Sequence, residues 1–417
     1  MTPRSHRAFR APVLRPLSTR ALLLTLAATA FSAAPALADS ALAWGFNASG
    51  QVGNSTNTNS LAPSQVTGLN TGVTAAAAGS FFSLAIQNGA VFAWGAAGNG
   101  QLGNNTLTNV NAPVAVTGLT SGVTAIAGGN NHALAIQNGA AFAWGNNVLG
   151  QLGDGTITRR NTPVPVTGLT SGITAIAAGG NHSLAIRNGA ALAWGVNTFG
   201  QLGEGTTNNS ALPLPVTGLS SGVTAIFGGG AHSLAIQNGA VRAWGNNTFG
   251  QLGDGTSNAA ATPVQVVGLS SGVTAIAAGV NHSLAIQNGN VFAWGSNSTG
   301  QLGDGSTNSS STPIRVLDLP IDLVAIAATN VSSFALASDG SLWTWGGNSF
   351  GQLGFGDTTV RTTPTRLLAP QGYFFTSIDG DAFSSHVVAT VALIPSPATT
   401  AALITASIVA LRRRRHA

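Results

Sequence analysis

The sequence predicts an all-β protein, a closed ring of seven four-stranded blades. Three observations carry that prediction. A Trp-Gly pair recurs seven times at near-constant spacing, each unit holds short strand patterns separated by turn chemistry with no helical period, and the two ends of the array are complementary halves of one unit.

The pairs begin at Trp44, Trp94, Trp144, Trp194, Trp244, Trp294 and Trp345, so the spacing is 50 residues five times and then 51. Within one unit, His282 to Ile286 and Asn290 to Gly295 are short runs of small, branched and aromatic residues joined by Asn288-Gly289, the dipeptide of a tight β-hairpin. The segment Gly300 to Gly305 places three glycines in six residues, as turns with positive φ require. A polar loop, a proline and a strand of the type VTAIAAG complete the unit.

The first unit starts at the Trp44 strand and lacks the two strands that precede every later tryptophan. After Trp345 the chain passes another GQLG, reaches His386 in HSLAI register and stops without a Trp strand. Pairing the amino-terminal strand with the carboxy-terminal strands therefore closes a seven-bladed β-propeller and removes the exposed sheet edges of an open array.

The ends differ from the middle. Residues 1–38 carry Arg4, Arg7, Arg10, Arg15 and Arg20, an apolar run from Ala21 to about Ala34, and a small-residue box at Ala36, Leu37 and Ala38, the pattern of a secretory signal peptide. The propeller is expected over 39–392. Residues 393–417 form a tail: Ile394, Pro395, Ser396 and Pro397, an apolar segment Ala398 to Leu411, then Arg412 to Arg415. That segment spans about 21 Å as a helix against a ~30 Å hydrocarbon core, so it reads as a processed sorting or anchor segment with transient membrane association. The chain is expected to be exported, to the cell envelope, the surface or the extracellular space.

The net charge of +5 comes from those ends: nine of the 16 arginines lie in them, and the middle sets seven arginines against 11 acidic residues. A mildly acidic middle gives no support to a phosphate-binding face, so no nucleic-acid partner is expected. With no cysteine, there are neither disulfides nor thiolate chemistry.

Candidate sites are repeat positions. His132, His182, His232, His282 and His386 share one register, with Phe82 and Ser333 assigned to that place in the other two units. Equivalent positions of neighbouring blades lie too far apart to converge on one metal, so these histidines read as structural groups bonded between blades. The position after GQLG is filled by Asn54, Asn104, Asp154, Glu204, Asp254, Asp304 and Phe355; one carboxylate per loop suits a turn rather than calcium. The seven tryptophans read as inter-blade core rather than a sugar-stacking array. No catalytic set, cofactor or metal is expected, because near copies of one unit do not bring unlike groups together. The units differ most in the loops after GQLGDG, where Arg159 and Arg160 are the first candidates for partner binding.

The order WGxNxxGQLGxG, proline, strand, AAGxxHSLAI, NG, strand, WG over residues 41 to 390 resembles the repeat of the regulator of chromosome condensation family, here in a bacterial exported form. The resemblance implies a seven-bladed propeller. The family's best-known activity, nucleotide exchange on a nuclear small GTPase, is not carried over, given the export signal and acidic middle. The tail resembles PEP-CTERM sorting signals, although Pro395, Ser396 and Pro397 lack the central acidic residue of the common form. The expected function is a monomeric, non-enzymatic binding or structural propeller whose partner is a protein or polysaccharide outside the cytoplasm. The alternatives are a secreted inhibitor gripping its target with face loops, which calls for aromatic residues there, and a polysaccharide lyase or hydrolase.

Overall fold

The computed structural model describes residues 39–394, and among them the chain forms 28 strands and no helix. The strands assort into seven antiparallel sheets of four. Six blades are continuous in sequence: blade 1 spans 73–115, blade 2 123–165, blade 3 173–215, blade 4 223–265, blade 5 273–315 and blade 6 323–367. Blade 7 is composite. Its two inner strands are Tyr373–Asp379 and His386–Leu393, and its two outer strands are Ser40–Gly45 and Ser60–Gln65. Ser40 to Gly45 pair with Val391 to His386 without a break, which is the ring closure anticipated from the complementary ends.

Hairpin turns follow the sequence chemistry. Asn88, Asn138, Asn188, Asn238 and Asn288 adopt φ of 50 to 52°, each followed by a glycine with positive φ, as a type I′ turn requires. Packing supplies the rest of the order. Seven apolar clusters lie between neighbouring blades, and each holds one of the repeat tryptophans, every one fully buried. The GQLG glycine belongs to this core: a Cβ on Gly153 (φ +67°) would fall 2.7 Å from the Nε1 of Trp194 in the next blade. The tryptophans are thus core side chains and present no stacking surface.

The last strand runs to Leu393, one residue past the expected boundary, and Ile394 N–H bonds to Gly372 O at 2.8 Å. The predicted leader over 1–38 and the tail from Pro395 onward lie outside the described residues.

Candidate functional site

The buried polar groups form a circuit between blades. His132 Nε2 lies 2.9 Å from Ser183 Oγ of the next blade, and the same contact joins His182 to Ser233, His232 to Ser283, His282 to Ser333 and His386 to Ser83 at 2.8 to 3.0 Å. Each serine hydroxyl donates to a GQLG glutamine carbonyl, Ser183 to Gln151 O at 2.8 Å for example. Its single proton is thereby used, so the histidine donates through Nε2–H and Nδ1 is the bare nitrogen. The same carbonyl accepts the indole N–H of the next tryptophan, Trp194 Nε1 to Gln151 O at 3.0 Å, and Trp44 closes the circuit on Gln352 O at 2.8 Å.

Register corrects one sequence assignment. Ser332 pairs with Gly346 as His282 pairs with Gly295, so Ser332, rather than Ser333, stands in the histidine place; Ser333 is the acceptor for His282. The two blades without histidine also lack the facing serine: Phe82 is followed by Ala133 and Ser332 by Val387. Donor and acceptor are present or absent together, as expected when an unpaired buried polar group costs more than an apolar pair. Phe82→His alone is therefore expected to lower stability by ~2–3 kcal/mol, with Ala133→Ser in addition recovering at least ~1 kcal/mol. Urea denaturation of both variants checks this, and full additivity of the two changes would refute the pairing.

Burial without a counter-charge pushes His132, His232 and His386 down to about 3 and His182 and His282 to about 4, so all five are neutral imidazoles. The loop carboxylates are turn acceptors. Asp154 takes Asn147 Nδ2 at 3.1 Å, Thr156 Oγ1 at 2.7 Å and Arg160 Nε at 2.8 Å. Desolvation would raise its carboxyl, but those hydrogen bonds prevail and hold it below the usual range. In the seventh unit, where Phe355 replaces the acid, Asp357 assumes the role: it receives Asn348 Nδ2 and Arg361, whose guanidinium lies 3.9 Å from the Phe355 ring centre. Among the described residues no three His, Cys, Asp or Glu side chains are grouped to hold a metal.

The partner-binding candidates lie at one end of the blades, where the long loops before each outermost strand meet the turn after each innermost one. Arg160 is committed to Asp154, while exposed Arg159 reaches back to Gly98 O in the previous blade's loop at 3.1 Å. Sequence reasoning misses the aromatic residues of this face. Phe81, Phe199, Phe249 and Phe350 are each 36 to 45% exposed, and Phe350 packs edge-on against Phe46 at 4.8 Å. Phe199, Phe249 and Phe350 stand immediately before GQLG, and Phe81 in the turn after the innermost strand of blade 1, none of them in the polar loops after GQLG.

The central channel also departs from the repeat. Its walls are Ala77, Ala78, Ile126 to Gly128, Ile176 to Ala178, Ile226 and Phe227, and into a cavity of about 180 Å³ project Asp379 and Asp381 of blade 7. Asp379 Oδ1 accepts Ala78 N–H at 3.1 Å and Asp381 Oδ2 accepts Phe383 N–H at 2.9 Å. Burial pushes Asp379 up to about 7 and Asp381 to about 8, the neighbouring Asp379 charge adding to the latter. Phe383, on the same turn, sets its ring against Gly180 of blade 3.

Comparison with known proteins agrees with this architecture. The RCC1-like domain profile matches residues 15–322, and the regulator of chromosome condensation (RCC1) repeat matches residues 323–352 and 339–385. No curated protein sequence matches the chain. Among solved structures, human WBSCR16 is 24% identical, with 85% of this chain and 99% of that one covered and a TM-score of 0.75. Yeast RCC1 (Prp20) bound to Kap60 is 22% identical, covering 87% and 90%, with a TM-score of 0.76. Prp20p from Saccharomyces cerevisiae, described with its binding to Gsp1p and histones, gives 22%, 89% and 95%, and 0.76. These identities establish likeness of fold. The profile match spans well over half of the chain, the repeat matches continue it through the sixth blade into the seventh, and the chain belongs to the RCC1-like domain family.

Proposed function

We propose that the chain is a non-enzymatic, exported propeller that binds a protein partner outside the cytoplasm through the face carrying the long loops. The observation that supports this reading is the set of four exposed phenylalanines, Phe81, Phe199, Phe249 and Phe350, distributed around one face of a ring whose loops are rich in Ser, Thr and Asn. Rigid aromatic anchors in a polar surround are the usual makings of a binding surface. A polysaccharide is the less suited partner, since the tryptophans that would stack on sugar are buried. Yeast RCC1 bound to Kap60 is a protein-binding body of the same fold. The same aromatics favour a second reading, inhibition of the bound partner.

Export rests on the amino-terminal Arg-rich and apolar pattern, and surface sorting on the carboxy-terminal Pro, apolar and Arg pattern. The test is fractionation with intact-mass measurement and crosslinking of the native protein, in wild type, in a chain ending at Ile394 and in Phe199→Ser/Phe249→Ser. Cutting at Ile394 keeps the last strand whole. The wild type is expected at the envelope with both ends removed, the shortened chain in the medium, and the face variant with crosslinked partner reduced at least ~10-fold. A full-mass protein retained in the cytoplasm would overturn the reading, as would a face variant that crosslinks as the wild type does.

A further inference from the structure

Blade 7 breaks the repeat at two places that the fold does not need broken. Asp379 pairs with Val388, two residues past His386, as Ala177 pairs with Leu184, two past His182. The other blades hold Ala77, Ala127, Ala177, Phe227, Ala277 and Ala327 at that register, and Gly79, Gly129, Gly179, Gly229, Gly279 and Thr329 at the place of Asp381. Six blades are built without a carboxylate there, so packing does not explain the pair.

Among the described residues nothing neutralises them. Among the described residues the cavity is lined by alanine, glycine, isoleucine, one phenylalanine and the two aspartates, with no basic side chain. Asp381 is 4% exposed and its Oδ1 has no hydrogen-bond donor, although Oδ2 is engaged by Phe383 N–H. Thr329, fully buried in blade 6 with its methyl against Gly380, likewise keeps Oγ1 unpartnered. Asp381, buried, and Asp379, half-buried, face one cavity without a counter-ion, a standing cost to the fold whenever they ionise. Further ligands are at hand: each innermost strand pairs on one side only, which leaves main-chain carbonyls along the channel wall.

We infer that the channel of this propeller binds a single oxygen-seeking divalent cation between Asp379 and Asp381. A doubly charged ion cancels both carboxylates at once, and its remaining coordination is met by carbonyl oxygen and water, the ligands that calcium and magnesium favour. A lysine or arginine side chain from a partner cancels only one of the two charges. The donor set is all oxygen, which disfavours zinc and copper relative to the hard cations. Binding displaces the protons that burial keeps on the pair, so affinity rises with pH.

The probe is radiolabelled calcium in equilibrium dialysis against the purified full chain, with magnesium as competitor. One ion per chain is expected at about pH 8, with a Kd of ~1 mM or tighter and at least ~10-fold weaker binding at about pH 6. Asp379→Asn/Asp381→Asn is expected to lose binding at least ~30-fold. Asp379→Ala/Asp381→Gly, which restores the residues of the other blades, is expected to do the same while melting no lower than the calcium-free wild type. No calcium or magnesium bound at about 10 mM, or binding undiminished in the Ala/Gly variant, overturns the inference.

Discussion

Trp244→Ala is expected to destabilise the ring by ~4 kcal/mol, among the larger losses a single truncation can produce. Trp244 is fully buried in the cluster that joins blades 3 and 4, against Leu184, Leu202, Val216, Leu219 and Val223. Its indole N–H bonds to Gln201 O at 2.8 Å, and that carbonyl keeps only the Ser233 hydroxyl once the ring is gone. The neighbours cannot collapse into the space, because they are held by backbone pairing on both sides. Trp244→Phe retains most of the volume but not the hydrogen bond, and should lie between the two. Urea unfolding of both variants measures the effect, and a loss below about 1 kcal/mol for the alanine would show that the tryptophan ring is not what joins the blades.

The second large effect is acid unfolding. Histidines held near 3 to 4 when folded and near 6.5 when unfolded bind fewer protons in the native state. Their stabilisation is complete above about pH 6.5 and is lost as pH falls toward those depressed values. Each tenfold change in proton affinity is worth about 1.4 kcal/mol, so five such sites together exceed the ~5–15 kcal/mol margin of a native domain, and the ring should unfold before its histidines can titrate in place. Asp379 and Asp381 act with the opposite sign. Raised from 3.8 to about 7 and 8, they stabilise the fold fully below about pH 3.8, and that contribution fades as pH climbs through 7 and 8. Calorimetric unfolding at about pH 5, in buffers of different ionisation heat, should show a net uptake of about three protons per chain, rising to about five in Asp379→Asn/Asp381→Asn. Equal uptake in the two chains would contradict the raised aspartates.

Much of the fold is legible in the sequence because a repeat states the same instruction seven times. Trp-Gly spacing, the Asn-Gly turns and the complementary ends each determine a feature that packing then enforces. The register shared by the histidines is legible in the sequence, yet the serines they pair with are not. The link from His132 to Ser183 crosses 51 residues and becomes visible only when blades are set side by side, and the same gap lets Ser333 pass for Ser332. The channel aspartates escape notice for a related reason. Between Asp381 and His386 the seventh unit is two residues longer than GGNH in blade 3, so reading back from His386 loses register before it reaches the acids. The exposed phenylalanines stand in plain view at Phe199, Phe249 and Phe350, but burial, not residue type, distinguishes them from core, and no period marks it.

The composite blade also sets a timetable. A chain emerging from its amino end makes Trp44 early, and the carbonyl that receives its indole N–H belongs to Gln352, 308 positions later; His386 likewise returns to Ser83 across 303 positions. The strand Ser40–Gly45, buried at every residue, has no partner on its inner side until the final strand exists. Closure is therefore one late, long-range event, and loop closure over such spans is slow. Until it happens the first and last segments remain a loose pair of ends, so a premature stop anywhere before His386 leaves the earliest hydrophobic strand permanently without its mate.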